Sequence, residues 1–212
     1  MENSFVHSLA RVRKYAPIVG FAASFMFTLT ANTAHAGSSA FLSPQNAIKA
    51  PPGFHRICNT YSWACTRTGQ SGLSDAKIRS LAKKINSSVN RQVSQIEDID
   101  QYGRAEHWAL PTHRGGDCED LVLLKKKLLI AQGVSSEDLL IATVLDHKLR
   151  SHAVLILRSD RGDLVLDNLT NTIKPWQKTG YTFLKLQNPK NLARWDAVLA
   201  GGVIKDRPTA SR

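Results

Sequence analysis

The chain has no internal repeat, no low-complexity block, no apolar run of the length a membrane span needs, and only three cysteines in 212 residues. Without repeats, a chain of this length reads as one domain with a real core. The longest apolar stretch, Ile18 to Leu29, is broken by Gly20, Ser24 and Thr28. That falls short of the ~20 apolar residues a spanning helix requires. Acidic residues are also few, 17 against 28 Lys+Arg. The excess of positive charge suits anionic envelope surfaces or acidic partners. It does not indicate nucleic acid, because the basic residues are scattered and no binding motif accompanies them.

The short apolar stretch has a different meaning. Arg11, Arg13 and Lys14 precede it, and Ala34-His35-Ala36 follows as an A-x-A cleavage pattern. Residues 1–36 are therefore expected to be a secretory signal peptide, and 37–212 a single exported domain. No cysteine lies beside the cleavage point, which argues against a lipid anchor.

Export changes how the cysteines are read. Cys58 and Cys65 lie close together in Cys58-Asn-Thr-Tyr-Ser-Trp-Ala-Cys65. In an oxidising compartment a disulfide is expected, closing a short loop worth about 2.5 kcal/mol. A metal site is the competing reading, but no histidine pair at ligand spacing supports it. This pairing leaves Cys118 odd, and an odd cysteine in a secreted chain suggests a reactive thiol or an intermolecular bridge.

Cys118 sits in Gly115-Gly116-Asp117-Cys118-Glu119-Asp120, ahead of an apolar stripe of Leu121, Leu124, Leu128 and Ala131 that Gly133 ends. The spacing predicts a central, buried helix starting at Asp117 or Cys118. Backbone N–H groups and the helix dipole favour a thiolate at that end. The three acids oppose it, since like charges raise a thiol's pKa. Capping and dipole complementation explain acids in a first turn. They do not explain a cysteine among them. A bound cation would resolve the conflict, and closely spaced oxygen ligands suit Ca²⁺ better than Zn²⁺. Lys125-Lys126-Lys127 on the same helix is expected to be a solvated face.

A second helix is expected from Ser74, with Ile78, Leu81, Ala82, Ile85 and Val89 on one side. Residues 97–115 read as a long loop, and 205–212 as a polar tail. Strands are expected at 139–144, 152–157, 164–169, 181–186 and 195–199, with a turn at Asp160-Arg161-Gly162-Asp163. Helices followed by strands predict an α+β fold, an antiparallel sheet against the central helix. A hairpin centred on Asp160-Arg161 sets Asp167 opposite Val154, with His152 its diagonal neighbour on the same face. A two-residue slip would set them directly opposite and a one-residue slip would separate them, and the sequence does not fix the register. A carboxylate in the apolar run Leu164–Leu169 needs such a partner. Cysteine, histidine and acid, in that order, supply a nucleophile, a base and an orienting group. Trp108 fits either ordinary packing or an indole N–H lining the cleft, and Asn168 fits either an orienting role or a turn.

Taken in order, Tyr102-Gly103, Trp108, Pro111, Gly116–Asp120, His152–Leu155, Leu164–Leu169 and Pro175-Trp176 resemble the bacterial transglutaminase-like cysteine peptidases, which include the LapG-like periplasmic proteases. Cys58 and Cys65 match the paired N-terminal cysteines of that family, and the likeness spans about residues 54–200. It implies a papain-like, transglutaminase-type core with Cys118 as nucleophile, His152 as general base and Asp167 as orienter. It implies calcium at Asp117, Glu119 and Asp120, and an envelope protein such as a large adhesin as substrate. It further implies an inner-membrane receptor that sequesters a monomeric enzyme. Acyl transfer to an amine shares the same thioester and stays open. So does a binding module in which Cys118 is merely buried.

Overall fold

Residues 39–204 are described in a computed structural model; the expected signal peptide at 1–36 and the tail at 205–212 lie outside the described residues. Seven strands form one antiparallel sheet. In chain order they are β1 (Ala47–Ile48), β2 (Leu139–Leu145), β3 (Ser151–Ser159), β4 (Gly162–Leu166), β5 (Lys174–Pro175), β6 (Thr182–Asn188) and β7 (Asn191–Ala200). They lie side by side as β1-β7-β6-β2-β3-β4-β5. The helices are α1 (Ile57–Thr60), α2 (Asp75–Gln92), α3 (Asp98–Tyr102) and α4 (Cys118–Ala131). The expected α+β arrangement is present: α4 packs on β3, and α2 lies across α4.

Side-chain alternation divides the core between the two faces of the sheet. Ala153, Leu155 and Leu157 of β3 meet Val122, Leu123 and Leu129 of α4 on one face. Val154 and Ile156 join Val165, Phe183, Leu186 and Trp176 on the other. The β3–β4 hairpin pairs Leu155 with Leu166 and Ser159 with Gly162. This is the register centred on Asp160-Arg161, so His152 and Asp167 share a face.

The two-residue edge strands β1 and β5 and the five-residue α3 were not expected, being too short to show a period. α3 lies inside the segment read as a loop. Asp98 and Asp100 occupy its first turn, and Gly103 ends it at φ 67°, where a side chain would be strained. β4 stops at Leu166 rather than Leu169, because the chain turns away there to present Asp167.

One expectation fails outright. Lys125 and Lys126 are fully buried, and of the three lysines only Lys127 is exposed. α4 is covered on nearly every side, so charge run and solvated face part company. Lys126 Nζ donates to the Leu139 carbonyl at 2.7 Å and to Gln187 Oε1 at 2.8 Å. Burial pushes both amines down to about 7.

The disulfide Cys58–Cys65 is formed, and the segment that follows it is tied to the start of β2 by Glu137. The carboxylate accepts from Thr68 N–H at 2.9 Å, Gly69 N–H at 3.0 Å and Ser136 Oγ at 2.8 Å. Partial burial would raise this acid, but the hydrogen bonds outweigh it and hold the acid down at about 2, against an ordinary 4.5. A depressed acid contributes stability above its unfolded pKa and loses it as pH falls through the folded one. The gap in thermal midpoint between wild type and Glu137→Gln should therefore be widest at neutral pH and shrink between about 4.5 and 2. A gap that stays constant down to pH 2 would show that the charge contributes nothing.

Candidate active site

Gly115 and Gly116 deliver Cys118 to the start of α4. Gly115 has φ 127° and its missing Cβ would meet the Ser94 carbonyl at 2.0 Å, so only glycine passes this point. At Gly116 a Cβ would lie 2.6 Å from Asp120 Oδ2. Two isolated bridges, Gln95 with Gly116 and Thr112 with Gly115, hold the strand-like approach to the helix. The sulfur is partly buried and lines the same cleft as His152 and Ala153 at the start of β3. Helix start and strand start thus meet at one end of the sheet.

Cys118, His152, Asp117, Glu119, Trp108 and Asn168 line a single cleft of about 540 Å³. His152 Nε2 lies 2.9 Å from Asp167 Oδ1, and both side chains are nearly inaccessible to solvent. Leu169 N–H also donates to Oδ1 at 3.0 Å, and Tyr181 O–H donates to Oδ2 at 2.6 Å. Burial alone would raise Asp167; the hydrogen bonds from His152, Tyr181 and Leu169 outweigh it and hold the carboxyl below the usual range. A carboxylate only accepts, so Nε2 carries the proton and Nδ1 is left as the basic nitrogen. The loop bearing Asp167 is anchored from α2: Asn90 Nδ2 donates to the Asp167 carbonyl at 2.8 Å, and Asn86 Nδ2 to the Thr170 carbonyl at 3.1 Å.

The acids around the sulfur divide into two groups. Asp98, Asp117 and Glu119 each bring an oxygen within 4.8 Å of the other two, and all three are buried. Asp117 occupies the N-cap position, but its side chain makes no cap hydrogen bond. Its Oδ1 is buried without a partner. Burial first, then the charge of Glu119, pushes Asp117 up to about 8. Asp120, expected beside them, turns elsewhere: Oδ1 accepts the Ala109 N–H at 2.7 Å, fastening the 106–111 segment to α4. Three residues into the helix, it points beneath that segment, into the room Gly116 leaves. Burial raises it to about 8 as well.

Asp98 is the acid that sequence reading missed. It lies twenty residues upstream on α3, where an acid in a first turn has an ordinary explanation. No spacing signal links it to Cys118. Its Oδ2 accepts the His107 N–H, and this contact draws α3 against the site.

Cys118 Sγ lies 3.0 Å from Glu119 Oε2, the thiol donating to the carboxylate. Burial first, then the charge of Glu119, pushes the thiol up. The conflict foreseen from the charges is therefore present. Trp108 packs edge-on against Phe54, with ring centroids 5.3 Å apart, and its indole N–H reaches Glu106 Oε2 at 3.4 Å. Its ring is a core element and its edge a cleft wall. Asn168 Oδ1 is buried and unpartnered beside the cleft.

A family model for the bacterial transglutaminase-like cysteine proteinases (BTLCP) matches residues 45–202. Among solved structures, the chain is similar to calcium-bound LapG of Legionella pneumophila, with 23% identity and a TM-score of 0.49 over 62% of this chain and 75% of that one. A second structure of Legionella pneumophila LapG gives 20% identity and 0.48 over 70% and 86%. An EGTA-treated form gives 18% and 0.45 over 68% and 84%. No curated protein matches the chain.

Proposed function

Because the chain belongs to the bacterial transglutaminase-like cysteine proteinases, a family of cysteine peptidases, we propose that it is a calcium-dependent endopeptidase of the periplasm. In this reading it uses Cys118, His152 and Asp167 to cut a protein of the cell envelope. The observation that carries the reading is the buried His152–Asp167 hydrogen bond, whose histidine lines the cleft that also holds Cys118. A histidine fixed through Nε2 has only Nδ1 to offer a substrate or a thiol, which is the arrangement a cysteine–histidine pair requires.

In the reaction the Cys118 proton passes to His152 Nδ1, and the sulfur attacks the peptide carbonyl carbon. The resulting oxyanion is met by backbone N–H groups at the start of α4, including that of Cys118. As the C–N bond breaks, His152 gives its proton to the leaving amine. His152 then takes a proton from water, which attacks the thioester; the C–S bond breaks and the acid is released with the thiol restored. Asp167 holds the imidazole and stabilises its protonated form.

The residues present fit a calcium ion: Asp98, Asp117 and Glu119 offer hard oxygens, and Asp117 Oδ1 is a buried acceptor with no donor. A bound calcium ion would supply the positive charge that offsets these carboxylates beside the sulfur. Asp120 is left out of this set, as the carboxylate that positions the 106–111 segment.

The periplasmic placement rests on the Cys58–Cys65 disulfide and on the leader-like residues 1–36. Among the described residues, no helix is long and apolar enough to cross a membrane. The test is a comparison of envelope proteins from cells with and without this chain, with every new N-terminus labelled. Endopeptidase action should yield a new internal N-terminus that depends on the chain. Amine-modified glutamines with no new terminus would overturn hydrolysis in favour of acyl transfer.

A further inference from the structure

Tyr181 lies just before β6, and its ring belongs to the sheet face opposite α4. It does not line the cleft. It borders a smaller cavity of about 230 Å³ behind Asp167, together with His147 and Lys174. Its hydroxyl donates to Asp167 Oδ2 at 2.6 Å. Its ring stands edge-on to His152, with centroids 5.9 Å apart at 84°, and His147 packs on it at 5.1 Å.

A carboxylate has two equivalent oxygens and turns readily about its last torsion. Here each oxygen has its own donors: Leu169 N–H and His152 Nε2 on Oδ1, and Tyr181 on Oδ2. Among the described residues, no other group donates to Oδ2. Asn90 from α2 donates to the backbone carbonyl. Lys125 from α4 exerts a charge on Asp167, but its Nζ has no hydrogen-bond partner. From this we infer that Tyr181 is a positioning residue of the active site: by occupying Oδ2 it locks the carboxylate so that Oδ1 holds the imidazole. This rests on the triad reading above and adds to it a fourth side chain that never touches substrate.

Removing the hydroxyl leaves Oδ2 buried and unsatisfied, so the carboxylate turns to find donors and loosens its hold on His152. The test uses the full mature enzyme with ¹⁵N-labelled histidine and follows the downfield proton of His152 Nε2–H by NMR, assigned by its loss in Asp167→Ala. In Tyr181→Phe, with cooperative unfolding retained, that proton should vanish or exchange with water at least about tenfold faster, as expected for loss of a hydrogen bond to a charged group. An unchanged resonance and exchange rate would overturn the inference and leave the triad reading intact. Absence of the resonance from wild type would remove the triad reading itself. If Tyr181→Phe fails to fold, wild type grown on 3-fluorotyrosine decides. The ring is kept while the phenol becomes a stronger donor, and among the described tyrosines only Tyr181 bonds Asp167. The proton should then move upfield, and an unmoved signal would reject the role.

Discussion

Cys118→Ala should abolish peptide hydrolysis, lowering kcat by at least about 10⁴, the scale on which triad members fail singly. The fold should be unaffected. The sulfur is only partly buried, sits at the margin of the core and is hydrogen-bonded to Glu119. Thermal unfolding should thus show a midpoint close to wild type, since the change removes one edge-of-core sulfur and one weak thiol hydrogen bond. His152→Ala should lose nearly as much activity. The double variant should lose no more than the worse single one, because nucleophile and base act as one unit. The assay is cleavage of the envelope protein identified by its new N-terminus, followed by mass spectrometry. Residual cleavage by Cys118→Ala at a tenth of the wild-type rate would remove the sulfur from the chemistry. Additive losses in the double variant would mean that His152 acts on something other than Cys118.

Much of this arrangement is legible in the sequence. The stripe in Leu121–Ala131 with Gly133 after it defines α4, and the turn at Asp160-Arg161 allows several β3–β4 registers, of which the one centred on that turn is present and brings His152 and Asp167 together. These signals are local: a period, a cap, a turn. What stayed hidden depends on tertiary contact. Asp98 reaches the acid pair only because α3 folds back, and Tyr181 reaches Asp167 only because the chain before β6 passes behind β4. Asp120 is grouped with Asp117 and Glu119 in the sequence because three carboxylates in four residues look equivalent along the chain. On a helix they point in different directions, and one lies under the Ala109 amide. The lysines of α4 depart from expectation for the opposite reason. A charged run is usually solvated, and only packing on nearly all sides of the helix overrides that.

Calcium should raise the thermal stability of this protein, and Asp98→Asn should remove most of the effect. In the metal-free chain the buried group of Asp98, Asp117 and Glu119 holds three acidic side chains within 4.8 Å of one another. Gathering like charges out of water is unfavourable, and an ion that binds only the folded state stabilises it by mass action. At a hundredfold excess over its dissociation constant the gain is about 2.7 kcal/mol. For a domain of this size that corresponds to several degrees in Tm. Calorimetric scans in EGTA and in millimolar CaCl₂ would measure it. Magnesium should give much less, because it demands tighter octahedral geometry and parts with its waters reluctantly. Asp98→Asn keeps the shape and removes one charge, so it should shrink the calcium-dependent shift while the EGTA midpoint stays level or rises. Asp120→Asn is the contrast. Its carboxylate stands apart from the three and accepts the Ala109 N–H, a bond an amide oxygen can also accept, so the calcium shift should survive. A chain whose midpoint is indifferent to calcium, with hydrolysis unaltered in EGTA, would reduce these acids to structural neighbours of the sulfur. Loss of the shift in Asp120→Asn but not in Asp98→Asn would return the ion to the set first expected from the sequence.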